Sequence, residues 1–387
     1  MNFKTANRLA SINEYYFSQK LREIDTLNKE GKNIINLGIG SPDLPPHPDV
    51  IKTLQDEAAK LNTHAYQSYK GSPILRNAVA NWYNTWYGVE LNADTEILPL
   101  IGSKEGIMHI CMTYLNEGDE ALIPNPGYPT YKSAVTLTGG VCINYDLVEE
   151  NNWMPDFEAL AKTDLSKVKL MFVNYPHMPT GQLPTNDVFE KIIAFAKENN
   201  ILVVHDNPYS FILNEKPKSI LSVAGAKDVA IELNSLSKSQ NMAGWRVGIM
   251  CGAKERIEEV LRFKSNMDSG MFLPVQLAAA RALYLGKEWY DGVNKIYKER
   301  KEKAFELLDL LNCVYDKTQA GMFVWAKVAT SFEDGYKLSD DVLYNANVFI
   351  TPGGIFGSNG NKYIRVSLCA PAEKFEEAIV RIKVKRS

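Results

Sequence analysis

Short apolar runs alternate with longer segments through the middle of the chain. Three runs have the length and apolar character of buried strands, namely Lys167–Val173, Ile201–Val204 and Val229–Leu233. The stretches Thr185–Asn199 and Ala253–Lys264 are helix-like. Strands and helices that alternate in this way predict an α/β fold, with a mostly parallel central sheet flanked by helices on both faces.

Polar residues follow each of these three predicted strands. Asn174 follows the first strand, Asp206 follows the second, and the third runs into Ser235 and Lys238. Ligands of parallel sheets bind beyond the C-terminal strand ends, which lie along one edge. We therefore expect one crevice to hold all of these side chains.

The last hundred residues have a different pattern. A charged helix is predicted at 295–311 and a strand at 363–367, with a Gly-rich turn between them. We expect a large cofactor-binding domain at 45–285 and a smaller α+β domain formed by 1–44 and 286–387.

Composition limits the classes of partner. The 387 residues carry a net charge of -3 and contain no long basic run, which argues against nucleic-acid binding. Five isolated cysteines argue against a disulfide framework or a zinc site, and the five histidines show no metal-ligand spacing. The start of the chain does not look like a signal peptide, and no apolar run is long enough to span a bilayer. We expect a soluble cytoplasmic protein that uses small molecules, with no metal, nucleic-acid or membrane partner.

Lys238 carries the most informative chemistry. It lies in the segment Asn234–Gly248, three residues after Ser235 and eight before Arg246, and both of these side chains are suited to holding an anion. An amine beside an anion site favours a phosphate-bearing carbonyl cofactor such as pyridoxal phosphate, held as a Schiff base.

Asp206 and Tyr209 are candidates for contacts with the ring of such a cofactor. A carboxylate beside the ring nitrogen keeps that nitrogen protonated, and a tyrosine hydroxyl is able to donate to the phenolic oxygen. The alternative is that Asp206 caps a turn or helix and Tyr209 packs in the core. The presence of Lys238 favours the cofactor interpretation.

The phosphate requires backbone amides at the start of a helix. Ser103 and Lys104 open a predicted helix and offer such amides, although Ser103 also suits ordinary N-capping and Lys104 is suited to a solvated position. Tyr128 is able to stack on a ring or to pack within its proline-rich turn. Arg365 in the last predicted strand suits a carboxylate ligand or an internal salt bridge.

Together these residues resemble the class I and II aminotransferases of fold type I, which depend on pyridoxal phosphate. The resemblance covers about residues 35–367, and its most specific element is Ser-Leu-Ser-Lys at 235–238 followed by Gly-Trp-Arg at 244–246. It implies that Lys238 is the Schiff-base lysine and proton shuttle, Asp206 pairs with the ring nitrogen, and Tyr209 bonds the phenolic oxygen. It also implies a group of phosphate contacts: Ser103, Lys104, Ser235, Arg246 and, less directly, Ser237.

Four further positions follow the same family pattern. Tyr128 is similar to the ring-stacking aromatic residue, and Gly40 to the glycine whose backbone contacts the substrate. Arg365 is similar to the arginine that binds the substrate α-carboxylate. Tyr66 resembles the tyrosine that reaches the phosphate in the neighbouring subunit, which implies a homodimer with shared active sites.

Met178 departs from the family pattern, which usually has asparagine at this position. A thioether cannot donate a hydrogen bond to the phenolic oxygen. Asn174 is a candidate for cofactor support, and we expect Met178 not to take the role of the missing asparagine.

The sequence therefore predicts an amino-acid-metabolising, biosynthetic aminotransferase that moves an amino group between an amino acid and a 2-oxo acid. A pyridoxal-phosphate-dependent carbon–sulfur lyase is the alternative within the same scaffold. A catalytically idle binding protein is the alternative outside enzymes, and the combination of Lys238, Asp206 and Arg365 argues against it.

Overall fold

The computed structural model describes residues 3–10, 12, 14, 16–185 and 187–386. Asn186, which falls inside the predicted helix at 185–199, lies outside the described residues. Within the described part of the chain, no helix combines the length and apolar character needed to cross a membrane.

The β-strands of the described residues are short and mostly buried. In chain order they are β1 (Ile35–Asn36), β2 (Ile97–Leu100), β3 (Glu120–Asn125), β4 (Val141–Asp146), β5 (Val168–Val173), β6 (Leu202–Asp206), β7 (Ala230–Ser235), β8 (Gly248–Gly252), β9 (Val314–Tyr315), β10 (Phe323–Lys327), β11 (Val348–Phe349), β12 (Thr351–Pro352) and β13 (Tyr363–Ser367).

The α-helices of the same residues connect and cover these strands. In chain order they are α1 (Tyr16–Lys29), α2 (Pro48–Ala58), α3 (Pro73–Tyr87), α4 (Ser103–Tyr114), α5 (Pro129–Leu137), α6 (Phe157–Leu160), α7 (Val188–Asn199), α8 (Lys254–Lys264), α9 (Leu273–Leu283), α10 (Lys287–Leu310), α11 (Gly335–Ala346) and α12 (Ala372–Arg386).

The central sheet has the strand order β2-β8-β7-β6-β5-β3-β4. Strands β4, β3, β5, β6 and β7 pair in parallel, whereas β8 runs antiparallel to both of its neighbours. The predicted mostly parallel sheet is therefore confirmed. The three apolar runs correspond to the adjacent strands β5, β6 and β7.

Side chains of these strands are buried on both faces of the sheet. Along β5, Leu170 and Phe172 belong to one apolar cluster, and Met171 and Val173 belong to the other. Successive strand residues point to opposite faces, so both clusters draw on the same strand. This explains why the runs are continuously apolar, as is usual where helices cover a parallel sheet on both sides.

A second, smaller sheet is antiparallel and has the order β12-β13-β10-β9. The N-terminal strand β1 pairs in parallel with β11, so the start of the chain lies against its C-terminal part. The predicted helix at 295–311 extends further towards the N-terminus than expected, because α10 begins at Lys287, directly after Gly286. The division into domains at residues 44 and 285 remains a prediction.

Candidate active site

A cavity of about 590 Å³ lies beyond the C-terminal ends of β5, β6 and β7. It brings together all but one of the site residues predicted from the sequence: Gly40, Ser103, Lys104, Tyr128, Asn174, Asp206, Tyr209, Ser235, Ser237, Lys238, Arg246 and Arg365. Tyr66 does not line the cavity, and its side chain is 91% exposed.

Lys238 lies three residues after the end of β7, inside the cavity. Its Nζ donates a hydrogen bond to the carbonyl oxygen of Gly40 at 2.6 Å. Burial lowers the pKa of this amine, and the positive charges of Arg365 and Arg246 lower it further. Both causes favour the neutral, nucleophilic form of the amine.

Asp206 lies at the end of β6 and is 4% exposed. Its Oδ2 accepts a hydrogen bond from the hydroxyl of Tyr131 at 2.9 Å, whereas Oδ1 is buried and has no hydrogen-bond partner among the described residues. Burial raises the pKa of this carboxyl to about 6. A buried carboxylate oxygen without a partner fits an N–H donor such as a protonated pyridine nitrogen.

Sequence reasoning did not assign a role to Tyr131. This residue lies in α5, and its ring stacks on Phe172 of β5 with centroids 4.9 Å apart. The stacking holds the hydroxyl against Asp206. No local pattern marks this contact in the sequence, because Tyr131 and Asp206 are 75 residues apart.

The start of α4 forms a cradle for an anion. The residue before this helix is Gly102, with φ +87° and no side-chain cap, so Ser103 is the first helical residue and not the cap. A Cβ at Gly102 would collide with the guanidinium of Arg246. Backbone amides at a helix start, beside a guanidinium, are suited to binding a phosphate.

Ser235 and Ser237 complete this end of the cavity. The hydroxyl of Ser235 donates to that of Ser237 at 2.9 Å, and the backbone N–H of Ser237 donates back to Ser235 Oγ at 3.1 Å. Burial, followed by the charge of Arg246, lowers the pKa of the nearby Lys104 amine. Hydroxyl groups, backbone amides and basic side chains therefore lie together at the end of the cavity next to α4.

We expect Gly248→Ala to weaken this cradle. A Cβ at Gly248 would lie 2.5 Å from the backbone nitrogen of Ser103, and backbone atoms cannot rotate away. Forced overpacking costs about 1–3 kcal/mol, so phosphate and pyridoxal phosphate affinity should fall roughly tenfold or more. Calorimetric titration measures this loss.

Gly252→Ala is the matched control because it lies on the same strand, and its Cβ would meet its nearest atom at 3.5 Å. This variant should keep wild-type affinity. Equal losses in both variants would contradict the proposed cradle.

Arg365 lies on β13 with its side chain 4% exposed. Its Nη2 donates to the carbonyl oxygen of Gly38 at 2.9 Å, and its guanidinium lies 3.8 Å above the ring of Phe323 and 4.6 Å from that of Phe356. The rings fix the plane of the guanidinium, which suits the recognition of a planar carboxylate.

Gly40 is needed for this packing. A Cβ there would collide with the ring of Phe323. The requirement for glycine is therefore steric, and it leaves the Gly40 carbonyl free to approach Lys238.

Asn174 and Met178 occupy another wall of the cavity. The amide of Asn174 donates to the backbone oxygen of Asp206 at 2.5 Å, and its Oδ1 accepts from the backbone N–H of Met178 at 2.7 Å. The Met178 thioether lies 3.3 Å from Nη1 of Arg365. Asn174 thus orders the backbone that carries Asp206.

Tyr128 and Tyr209 contribute two aromatic rings to the cavity. Tyr128 meets Tyr131 edge to face at 5.6 Å, and Tyr209 meets Phe323 edge to face at 5.8 Å. Burial raises the pKa of both phenols, so each hydroxyl keeps its proton and is able to donate.

One group of potential metal ligands lies outside this cavity. Single ligand atoms of Glu105, His109 and Asp268 lie within 4.8 Å of one another. Lys264 donates to Asp268 Oδ1 at 2.7 Å, so one of these carboxylates already has a lysine partner. The expectation of catalysis without a metal remains a prediction.

Comparison with known proteins identifies the family. The model for the aminotransferase class I and II family matches residues 32–382. The chain belongs to this family. LL-diaminopimelate aminotransferase of Dehalococcoides mccartyi is 39% identical over 381 residues, which cover 98% of each chain. Transaminase BacF of Bacillus subtilis is 38% identical over 99% of this chain and 96% of its own length.

Solved structures agree with this assignment. The apo-BacF structure from Bacillus subtilis superimposes with a TM-score of 0.95 at 37% identity, covering 100% of this chain and 99% of that one. An aminotransferase from Staphylococcus aureus gives a TM-score of 0.89 at 29% identity, with 99% of both chains covered.

The predicted family, fold type and activity are therefore confirmed. The protein is an aminotransferase that depends on pyridoxal 5'-phosphate and acts on amino acids and 2-oxo acids. The open oxygen of Asp206 and the cradle at α4 are the structural features that fit this cofactor. Nothing in these relatives favours the carbon–sulfur lyase.

Proposed function

We propose that Lys238 tethers the aldehyde of the cofactor and then acts as the proton shuttle of amino transfer. The observation that carries this proposal is the buried Lys238 amine in the same cavity as the unpartnered Oδ1 of Asp206. When bound, pyridoxal phosphate supplies an aldehyde and an electron sink.

Asp206 would hold a proton on the ring nitrogen, and Tyr209 would donate to the phenolic oxygen. Tyr128 would support the ring, and Asn174 would do so through the backbone of Asp206. The phosphate is held by Ser103, Lys104, Ser235, Ser237 and Arg246.

Arg365 binds the α-carboxylate of the substrate, beside the backbone of Gly40. This contact would orient the substrate Cα towards Lys238, whose neutral amine would accept the Cα proton at Nζ and later give it up again. The rings around Arg365 exclude water, which strengthens the charge interaction.

We propose a diamino dicarboxylic acid of the diaminopimelate type as the amino donor. Support comes from relatives that are 38–40% identical over nearly the whole chain and named LL-diaminopimelate aminotransferases. A panel of amino donors with 2-oxoglutarate as acceptor tests it. LL-diaminopimelate should give the highest kcat/KM. A preference for alanine or phenylalanine would overturn the donor and leave the transferase activity standing.

We also propose a homodimer with shared active sites. Support comes from an apolar surface around Leu61 and Tyr66, which are 99% and 91% exposed. Phe272, also exposed, contacts His64 with ring centroids 5.7 Å apart, so two segments contribute to this surface. Exposed apolar patches of this kind mark interfaces between proteins.

Hybrid dimers of Tyr66→Ala and Lys238→Ala chains test the sharing of sites. Tyr66→Ala alone should lower cofactor affinity about tenfold, because a hydrogen bond to a charged group contributes roughly 1.5–3 kcal/mol. If Tyr66 serves the partner's site, each hybrid contains one fully wild-type site, and its affinity and activity there should be restored. Light scattering should give twice the chain mass, and a monomer would contradict the proposal.

Met178→Asn should shift the pH dependence of cofactor absorbance. The asparagine amide is able to donate a hydrogen bond to the phenolic oxygen of the cofactor. This hydrogen bond stabilises the ionised oxygen and makes it less basic. The absorbance midpoint of the Lys238-bound cofactor should therefore lie at lower pH in the variant, by roughly one unit. An unchanged midpoint would reject this role for position 178, and Met178→Leu is the control.

A cytoplasmic location is proposed from cysteine chemistry. All five cysteines are free thiols in the structure, as expected in a reducing compartment.

A further inference from the structure

A histidine–glutamate pair lies buried beside Asp206. His205 on β6 and Glu232 on β7 are direct neighbours across the parallel strands, and both are 0% exposed. His205 Nδ1 lies 2.9 Å from Glu232 Oε2, and its Nε2 lies 3.1 Å from the backbone oxygen of Tyr175. Each ring nitrogen therefore faces an oxygen.

Glu232 is surrounded by hydrogen-bond donors. Besides His205, four groups donate to its two oxygens at 2.7–3.4 Å: the Ser219 hydroxyl, the Ile220 N–H, the Tyr83 hydroxyl and the Asn207 amide. An ionised carboxylate only accepts hydrogen bonds, and donors that converge on it favour the ionised form. Glu232 is therefore a buried anion.

The partners of His205 determine its proton count. The Tyr175 carbonyl oxygen only accepts, and the ionised Glu232 carboxylate only accepts, so both ring nitrogens must donate. An imidazole with a proton on both nitrogens is a cation. The contacts of His205 and Glu232 thus match those of an ion pair inside the sheet.

The other titratable groups that face the pair carry no charge. These groups are Tyr83 and Tyr87 on α3, Cys251 on β8, and Tyr175, which follows β5. Burial raises the pKa of each. Among the described residues, four titratable groups face Asp206. Burial raises the pKa of the phenols of Tyr128, Tyr131 and Tyr209, and it lowers the pKa of the Lys238 amine. His205 is thus the cation adjacent in sequence to Asp206.

We propose that the His205–Glu232 ion pair is a positioning device that keeps Asp206 ionised towards the ring-nitrogen end of the cavity. Glu232 fixes the imidazolium, and the imidazolium offsets the cost of a buried carboxylate one residue along β6. Burial raises the pKa of Asp206, and the Tyr131 hydrogen bond, followed by the positive charges of His205 and Lys238, opposes this effect. This inference rests on the proposed role of Asp206 at the ring nitrogen.

Nitrogen NMR of the cofactor-free protein tests the ion pair directly. In ¹⁵N-histidine-labelled protein at pH 7.5, the signals lost in His205→Asn should correspond to two protonated ring nitrogens. In Glu232→Gln, the ring should show one protonated and one unprotonated nitrogen. One unprotonated nitrogen in the wild type would overturn the proposal, whatever the reaction of the enzyme.

Cofactor affinity across pH tests the positioning role. Without the cation in His205→Asn, Asp206 should take up a proton at a higher pH. Cofactor affinity falls when Asp206 is protonated, so the pH at which half of the affinity is lost should rise by about one pH unit. Glu232→Gln should shift the midpoint in the same direction. Tyr145→Phe removes a buried hydroxyl that bonds Phe172 O on β5 and should leave the midpoint unchanged.

The outcomes separate the two proposals. An unshifted midpoint in both variants, with wild-type protein that binds cofactor, overturns the positioning role alone. If Asp206→Asn binds the cofactor as tightly as the wild type does, the proposed function of Asp206 is overturned. The NMR result still decides the ion pair in that case.

Discussion

Lys238→Ala should abolish both turnover and covalent cofactor trapping. A positioned general base contributes up to about 10⁴-fold to the rate, so turnover should fall by about that factor or more. Borohydride treatment of the wild type should fix the cofactor on the peptide that contains Lys238, and the variant should yield no such adduct. Mass spectrometry of the digested protein reads both results.

The effect should be specific to this lysine. Lys254→Ala on α8 changes an exposed lysine that lies near Glu258, and it should keep wild-type turnover and the Lys238 adduct. Cofactor should still bind Lys238→Ala without a covalent bond, because the phosphate cradle is intact. Retained turnover in Lys238→Ala would contradict the assignment.

Asp206→Asn should lower activity and, without cofactor, raise stability. Asparagine cannot offer a negative charge to the ring nitrogen, and the loss of a preorganised electrostatic contact costs about 10²–10³-fold in kcat. Kinetics with saturating cofactor measure this loss. Asp228→Asn, at an exposed carboxylate that pairs with Lys197, is the control and should change neither property by much.

The stability effect has a defined pH window. The folded pKa of Asp206 is about 6, above the value of 3.8 for the unfolded chain, so the folded state binds more protons between these values. Stability contributed by this group is therefore present below about pH 4 and is lost as pH rises to about 6. Above that pH the cost is on the order of 3 kcal/mol, which the asparagine variant avoids.

Chemical denaturation of the cofactor-free proteins at pH 4.5 and 7.5 tests this sign. The variant should be the more stable protein at pH 7.5, and the difference should shrink at pH 4.5. Equal stabilities at pH 7.5 would show that Asp206 has no burial cost. A stabilising change that removes activity is the expected trade-off at a functional site.

Local patterns were sufficient for the sheet and for most of the predicted residues that line the cavity. Continuous apolar runs predicted β5, β6 and β7. Strands that are covered on both faces of a sheet have apolar residues at nearly every position, so the runs are easily recognised in the sequence. The polar residues that follow these runs lie in one cavity, as the shared edge of parallel strands requires. The predicted helix at 295–311 begins later than α10, because the charged first turns of α10 resemble a loop in composition.

Residues that act through long-range contacts were not predictable. Tyr131, Phe323 and Phe356 look like ordinary core aromatics in the sequence, and only the fold places Tyr131 against Asp206 and the two phenylalanines against Arg365. Gly248 was likewise missed, since its need for a small residue comes from the backbone of Ser103, 145 residues earlier in the chain.

The sequence by itself determined the family, the cofactor and the type of fold, and it singled out Lys238 as the candidate lysine of the site. These follow from residue types at short, fixed spacings, which local chemistry dictates. The tertiary structure alone decided the open oxygen of Asp206, the aromatic packing of Arg365 and the two oxygen contacts of the His205 ring. Burial and hydrogen-bond partners control charge, and both are set by segments that meet only after the chain has folded.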